Sequence, residues 1–267
     1  MSTTKFYVWV TPSYFDGSSV DHTWVTTYDN RAHPYRDDRE VESAGQNYWY
    51  CWGKFHPRGE SDDYDSGLIG NQPGDPNRAL CLVKPNNADA RGTIFNYGVD
   101  GVCHQLANQV LFATALDGKL PLRVSKARGY NVSLFFYGTY GLQRQVWNQK
   151  TDTCLNLHQV SRMAGMAEAE DEFEQLLRIK MGDANEEQIA GLLALRATLP
   201  DRGARAMALA EERLTAEALN ARNQQILERA RTVLGDDQYR LVFGVEPGDA
   251  VNLIDPNVFR RTQNAEG

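Results

Sequence analysis

Hydrophobic and polar residues follow two different patterns along the 267-residue chain, and the change falls near residue 160. Before it, short aromatic and β-branched runs are separated by turn residues, a pattern typical of strands. After it, Ala, Glu, Leu, Arg and Gln dominate and apolar residues recur at helical spacing. We therefore expect an α+β domain over residues 1–160, followed by a helical segment over 161–267.

The first domain is predicted to begin with two strands, Phe6 to Val10 and Val20 to Tyr28, joined by a loop around Asp16-Gly-Ser-Ser. Residues 57–78 are rich in glycine and proline and predict a long loop. Later strands are predicted at 122–124, 131–137 and 145–147.

A helix is predicted from about residue 101, where the apolar positions change to helical spacing. Thr114 ends this apolar stripe, and the helix places a cysteine in its first turn. The residues that share the apolar face are Cys103, Leu106, Ala107, Val110 and Leu111.

The second half predicts a series of helices, the second of which starts at a capping-box pattern, Asn185-Glu-Glu-Gln. The last twenty residues are polar and predict a loop. The predicted helices cover 164–181, 185–199, 205–234 and 236–243.

Composition narrows the function classes. A net charge of -7 argues against nucleic acid or an anionic membrane surface as the partner. No run approaches the roughly 18 apolar residues of a membrane helix, and the N-terminus lacks a secretory signal. We therefore expect a cytoplasmic protein with reduced thiols. Its four cysteines are Cys51, Cys81, Cys103 and Cys154.

Cys103 and His22 are the candidate reactive pair. Backbone N–H groups in the first turn of a helix stabilise a thiolate, which favours a nucleophilic role for Cys103. A thiol nucleophile also needs a base, and His22 lies within a predicted strand that would hold it in place.

The order of these residues resembles the circularly permuted papain-like cysteine hydrolases: NlpC-type amidases, the lecithin:retinol acyltransferase group and the PPPDE isopeptidases. His22-Thr-Trp-Val-Thr-Thr-Tyr is similar to their histidine strand, and Tyr97-Gly-Val-Asp-Gly-Val-Cys103-His-Gln-Leu-Ala-Asn108 to their cysteine segment. The histidine and cysteine are 81 positions apart. Val102 stands where those families commonly have Asn, and Gln105-Leu106 where they often have His-Phe.

The resemblance implies a permuted papain-like domain that cleaves or transfers an acyl group at an amide, isopeptide or ester bond. Cys103 would be the nucleophile, His22 the general base, and His33 or a nearby polar residue the group that orients His22. The oxyanion would bind backbone N–H groups at the helix start, beside Val102, His104 and Gln105. No cofactor or metal is implied, and a peptide or protein is the expected substrate.

Helix geometry turns His104 about 100° away from Cys103, towards the surface or a position supporting the site. Two other functions remain open. The chain could be a non-enzymatic interaction module or effector on the same fold, with the helical tail binding a protein partner. Alternatively, Cys and His residues at short spacing could form a structural zinc site. The four candidate ligands are Cys51, His56, Cys154 and His158.

Overall fold

The fold combines an antiparallel sheet with helices, as the α+β prediction requires. It is taken from a computed structural model. The residues that the structure describes are 3–13, 19–29, 31, 48–52, 67–76, 96–116, 119–142, 172–200 and 214–263.

Four described strands form one antiparallel sheet in the order β3-β2-β1-β4. The first two strands confirm the predicted pair, and they align from Tyr7 opposite Thr26 to Pro12 opposite Asp21. Alternate residues point to opposite faces, so the sheet carries two different sets of side chains. The strands are β1 (Thr4–Pro12), β2 (Asp21–Thr26), β3 (Trp49–Tyr50) and β4 (Gly67–Gly74).

Strand β4 lies within residues 57–78, so the prediction of a loop there was wrong for 67–74. The strand pairs with β1, with Gly74 opposite Thr4 and Gly70 opposite Val8. Among the described strands β4 is at the edge of the sheet, where the missing N–H of Pro73 is tolerated. The glycine and proline content of this segment therefore led to an edge strand being predicted as a loop.

Helix α1 (Cys103–Thr114) confirms the predicted helix and packs against β2. All of its residues are buried, including the polar side chains of Gln105 and Asn108. These side chains bond to the backbone of the following segment, Gln105 to Gly138 O and Asn108 to Thr139 O, both at 3.0 Å. The helix is therefore fixed by packing against β2 and by hydrogen bonds to Gly138 and Thr139.

The prediction of a strand at 131–137 was wrong, because these residues form helix α2 (Tyr130–Tyr137). Nearly every side chain of α2 is buried, and a short, mostly apolar run has no periodicity that separates a strand from a helix. Residues 122–124, also predicted as a strand, are irregular, whereas 145–147 lie outside the described residues.

The second half is helical, as predicted, with different boundaries. The described part of the helix predicted over 205–234 begins at Ala216, where the Thr215 hydroxyl accepts a bond from Ala218 N at 3.1 Å. Residues 164–171 and 205–213 lie outside the described part. The helices are α3 (Phe173–Met181), α4 (Glu186–Ala197), α5 (Ala216–Leu234) and α6 (Asp236–Phe243), with a 3-10 turn at Asp183–Asn185.

The last twenty residues were wrongly predicted as loop throughout, because they contain helix α7 (Pro256–Gln263). The Asp255 carboxylate accepts bonds from the N–H groups of Asn257 at 2.7 Å and Val258 at 3.3 Å. Asp before Pro is a typical helix start. Only Val258 and Phe259 of this helix are buried, which explains its weak apolar signal.

One apolar core joins the sheet, α1 and the helical segment. The ring of Phe135 in α2 packs against Phe173 at 5.4 Å and Phe243 at 5.6 Å, linking the two halves. A second cluster lies on the other face of the sheet and comprises Trp9, Trp24, Tyr28, Trp49 and Cys51. Among the described helices, none is long and apolar enough to cross a membrane.

Candidate functional site

A pocket lies where α1 begins beside the first residues of β2. The space between its walls, open solvent at the mouth included, is about 410 Å³, and the enclosed part has room for only about one water molecule. It is lined by residues from the sheet, from the start of α1 and from the C-terminal segment, including Asp21, His22, Cys103, His104, Leu253 and Asp255. The sequence-predicted nucleophile and base therefore border the same pocket.

Cys103 is the first residue of α1, and the residue is 8% exposed. The Sγ atom lies 4.0 Å from the carbonyl oxygen of Asp21. Burial raises the pKa of the thiol to about 11, although bonds from Thr23 and from the N–H groups of Cys103 and His104 act in the opposite direction. The expected stabilisation by the helix start is present, but burial outweighs it. The thiol is protonated at neutral pH.

His22 lies in β2 with its ring stacked on Trp24, at 5.7 Å between ring centres and 21° between planes. Its Nε2 atom lies 3.2 Å from Sγ of Cys51. Burial, with a smaller effect from His104, lowers the pKa of His22 to about 3. The imidazole is therefore neutral at pH 7 and retains one nitrogen able to accept a proton.

His22 and Cys103 share the pocket, but within the described residues no hydrogen bond joins them. Residue alternation along β2 places His22 with Trp24 on one face of the sheet and Thr23 on the face towards α1. The thiol is near Thr23 and the Asp21 carbonyl, whereas the imidazole contacts Cys51. In this state the two groups are neighbours without a direct proton contact.

The sequence analysis did not connect Cys51 with His22, because it considered Cys51 only as a zinc ligand. It follows β3, in which Tyr50 lies opposite Val25 of β2. Cys51 is therefore positioned opposite Trp24, on the face that carries His22. The aromatic run Tyr48-Trp-Tyr-Cys-Trp52 is typical of a strand, but its strand partner was not evident from sequence.

His104 is buried and does not lie at the surface. Its hydrogen bonds link α1 to β2 and α2. Its Nε2 lies 2.9 Å from the Asp21 carbonyl and its Nδ1 2.8 Å from the Ser133 hydroxyl. A carbonyl only accepts, so Nε2 carries the proton. Burial lowers the pKa of His104 to about 4, which keeps the ring neutral. The Ser133 hydroxyl has one proton and lies near two acceptors, Nδ1 of His104 at 2.8 Å and the Tyr130 carbonyl at 2.9 Å.

A hydrogen bond between Val102 and Gln105 stabilises the start of α1. The Gln105 side-chain oxygen accepts the Val102 N–H at 3.1 Å. Its amide nitrogen donates to the Ser133 hydroxyl at 3.2 Å and to the Gly138 carbonyl at 3.0 Å. The Val102 N–H therefore already donates to Gln105. The N–H groups at the helix start that remain suited to binding an oxyanion are those of Cys103 and His104.

The C-terminal segment supplies one wall of the pocket. The Asp255 N–H donates to the Tyr97 hydroxyl at 3.0 Å. The Asn220 side chain bonds to both backbone groups of Ile254, accepting from N at 3.1 Å and donating to O at 2.8 Å. Leu253 and Val258 line the pocket from this side. The helical segment therefore shapes the site rather than standing apart from it.

The remaining candidates fall outside what the structure describes. His33, predicted to orient His22, is not among the described residues, and neither are His56, Cys154 and His158 of the zinc hypothesis. Within the described ranges, no group of three or more His, Cys, Asp or Glu side chains is arranged to hold a metal ion.

No protein-family model, curated protein or solved structure matches this chain. A functional interpretation therefore depends on the chemistry of the pocket.

Proposed function

We propose that this chain is a thiol hydrolase or acyltransferase with a permuted papain-like domain, acting on an amide, isopeptide or ester bond. The observation that carries the proposal is the shared pocket of Cys103 and His22. Cys103 begins a helix whose N–H groups face its thiol, and His22 lies on the strand against which that helix packs.

The first chemical step is attack of Cys103 on the acyl carbon. Both groups are neutral at pH 7, so His22 takes the thiol proton during the attack rather than before it. The Sγ–carbon bond forms, the tetrahedral intermediate collapses, and the leaving amine or alcohol takes the proton from His22. Water then attacks the thioester with His22 again as the base, releasing the acid and restoring the thiol.

The first-turn N–H groups of Cys103 and His104 are the proposed oxyanion donors. Helix geometry leaves such N–H groups without a carbonyl partner inside the helix, and they lie in a buried environment that strengthens electrostatic attraction. The bonds of His104 to Asp21 and Ser133 hold this end of α1 against β2. His104 supports the site without taking part in proton transfer.

The thiol has to turn towards His22 when substrate binds, because in the free protein it faces Asp21 and Thr23. Catalytic hydrogen bonds are often long before substrate is bound. A carbonyl group at the mouth of the pocket would displace the thiol from the Asp21 side, towards the imidazole. A peptide or isopeptide carbonyl is the expected substrate group.

The second candidate is a non-enzymatic interaction module, and one observation favours it. The chain's own C-terminal segment lines one side of the pocket, through Leu253 and Val258, and Cys103 is largely buried. On this alternative, Cys103 would be a core residue and the helical tail would contact a protein partner.

Release of p-nitrophenolate from p-nitrophenyl acetate separates the two candidates, since the small acetyl group suits a narrow pocket. The hydrolase should show an initial burst that is absent in Cys103→Ala. Leu120→Ala is the control, since this side chain is 96% exposed and does not line the pocket. Release that is slow, without a burst and unchanged in Cys103→Ala would support the interaction module.

A further inference from the structure

Cys51 contacts the imidazole of His22 and restricts the orientation of the ring. It is fully buried and belongs to the cluster that contains Trp24, the residue on which His22 stacks. The His22 ring is thereby held between the Trp24 ring and the Cys51 sulphur, with Nε2 and Sγ 3.2 Å apart.

The direction of this hydrogen bond follows from the second contact of Cys51. Its thiol donates to the carbonyl oxygen of Trp52, with Sγ and O 3.3 Å apart. A thiol has one proton, and while that proton is donated to Trp52 the sulphur presents lone pairs towards His22 and acts as the acceptor. The Nε2 atom of His22 must then carry the hydrogen.

This arrangement fixes the tautomer of the neutral ring. With the hydrogen on Nε2, the lone pair that can remove a proton is on Nδ1. In the opposite tautomer Nε2 carries no hydrogen, so the Cys51 thiol either gives up its bond to the Trp52 carbonyl in order to donate to Nε2, or faces Nε2 with a lone pair. Both arrangements are unfavourable in a buried site. A general base needs both the correct tautomer and a fixed ring orientation.

We propose that Cys51 is the positioning residue of the site, holding His22 as the Nε2–H tautomer so that Nδ1 accepts the Cys103 proton. This inference rests on the proposed function and deepens it, because it identifies, among the described residues, the one that orients the proposed base. During attack, the proton moves from Cys103 Sγ to Nδ1, and the Nε2–H bond to Cys51 is retained throughout.

The test reads the tautomer directly, by long-range proton–nitrogen NMR of the full-length chain labelled with ¹⁵N-histidine. The His22 signals are assigned by their loss in His22→Gln. Parent protein should show Nε2–H and an unprotonated Nδ1. Cys51→Ser keeps an acceptor and should retain this tautomer, whereas Cys51→Ala removes the acceptor and should give a mixture.

A functional test measures the acetylation burst of the parent, of Cys51→Ser and of Cys51→Ala. We expect Cys51→Ser to stay near the parent rate and Cys51→Ala to fall at least about tenfold, a fraction of the usual contribution of a general base. A folded Cys51→Ala with unchanged His22 signals, or an Nδ1–H tautomer in the parent, would overturn the inference. Because the spectra need no substrate, an Nε2–H parent without any burst refutes the hydrolase and leaves the Cys51 contact standing.

Discussion

Burial sets the chemistry of the individual site residues. The start of a helix lowers the pKa of a thiol, but Cys103 is so little exposed that its pKa rises to about 11. The histidines beside it shift downwards for the same reason, since low polarity disfavours charge of either sign. Both partners of the proposed pair are consequently neutral at physiological pH, and substrate binding has to bring them into contact.

Alkylation of Cys103 should depend steeply on pH. Because only the thiolate reacts, a pKa of about 11 means that the iodoacetamide rate rises about tenfold per pH unit from pH 7 to 10. Peptide mapping measures the rate at this residue, and the urea-unfolded chain serves as the control, levelling off near pH 9. A plateau below pH 9 in the folded protein would show that burial has little effect on this thiol.

The buried histidines should make the protein less stable in mild acid. Folding lowers the pKa of His104 to about 4 and of His22 to about 3, so below the ordinary value of 6.5 the unfolded chain binds more protons. The free energy of unfolding therefore falls as the pH drops below 6.5, by about 2 kcal/mol per histidine between pH 7 and 5.

Urea titrations at pH 7 and pH 5 measure this loss. The variant His104→Gln has no titrating ring, so its loss between the two pH values should be smaller than that of the parent by about 2 kcal/mol. An equal loss in parent and variant would mean that His104 is not buried as a neutral ring.

At this scale the sequence identified Cys103 and His22 but not their contacts. Helical spacing gives the angle between Cys103 and His104, yet it does not reveal that Ser133 of α2 packs over His104. For the same reason the contact between His22 and Cys51 was missed. It depends on which strand pairs with β2, and residues far apart in sequence decide that.

Local patterns predicted elements well where one face is buried and the other exposed. Helices α3 and α6 have this character, with three buried residues each. Elements whose pattern is uniform or weak were assigned wrongly: α2 is buried on all sides, and α7 buries only two residues. Tertiary packing, rather than periodicity, determines their conformation.

The connection into α2 should be sensitive to a single methyl group at Gly129. This residue has φ of 79°, and an added Cβ would lie 2.3 Å from a methyl carbon of Val20, which itself lines the pocket. Gly129→Ala should lower the free energy of unfolding by at least about 3 kcal/mol, from strain and steric overlap together.

Gly182 is the matched control. Its φ is 70°, but no atom lies within 4 Å of the added Cβ, so Gly182→Ala should lose only about 1 kcal/mol. Chemical denaturation of the two variants compares them. Equal losses would indicate that Val20 and Gly129 are not in close contact and that the strand and helix meet differently.

In the whole molecule, the helical segment belongs to the same core as the sheet and also borders the pocket. The sequence predicted the change from mixed to helical composition near residue 160. It did not predict that the C-terminal segment returns to Tyr97, because amphipathic spacing identifies an apolar face without identifying what covers it.

Asn220 should control how firmly the C-terminal wall is held. Its side chain makes two bonds to the Ile254 backbone, so Asn220→Ala should lower the free energy of unfolding by about 2 kcal/mol, since buried backbone groups lose their partners. Loosening this wall should also speed Cys103 alkylation at fixed pH.

Asn220→Asp retains the acceptor for the Ile254 N–H and should fall between parent and Asn220→Ala in alkylation rate. If Asn220→Ala destabilises the protein but leaves the alkylation rate of Cys103 at the parent value, the segment is structural and does not limit access to the pocket.

The most direct measurement is the rate of acetylation at Cys103 by p-nitrophenyl acetate at pH 7, followed by site-resolved mass spectrometry in the parent and in His22→Gln. If His22 is the base, acetyl should accumulate at Cys103 in the parent and form at least about 100-fold more slowly in His22→Gln, the usual contribution of a general base. Equal rates in the two folded proteins, or acetyl groups found only on other residues, would contradict the assignment of Cys103 and His22 as a catalytic pair.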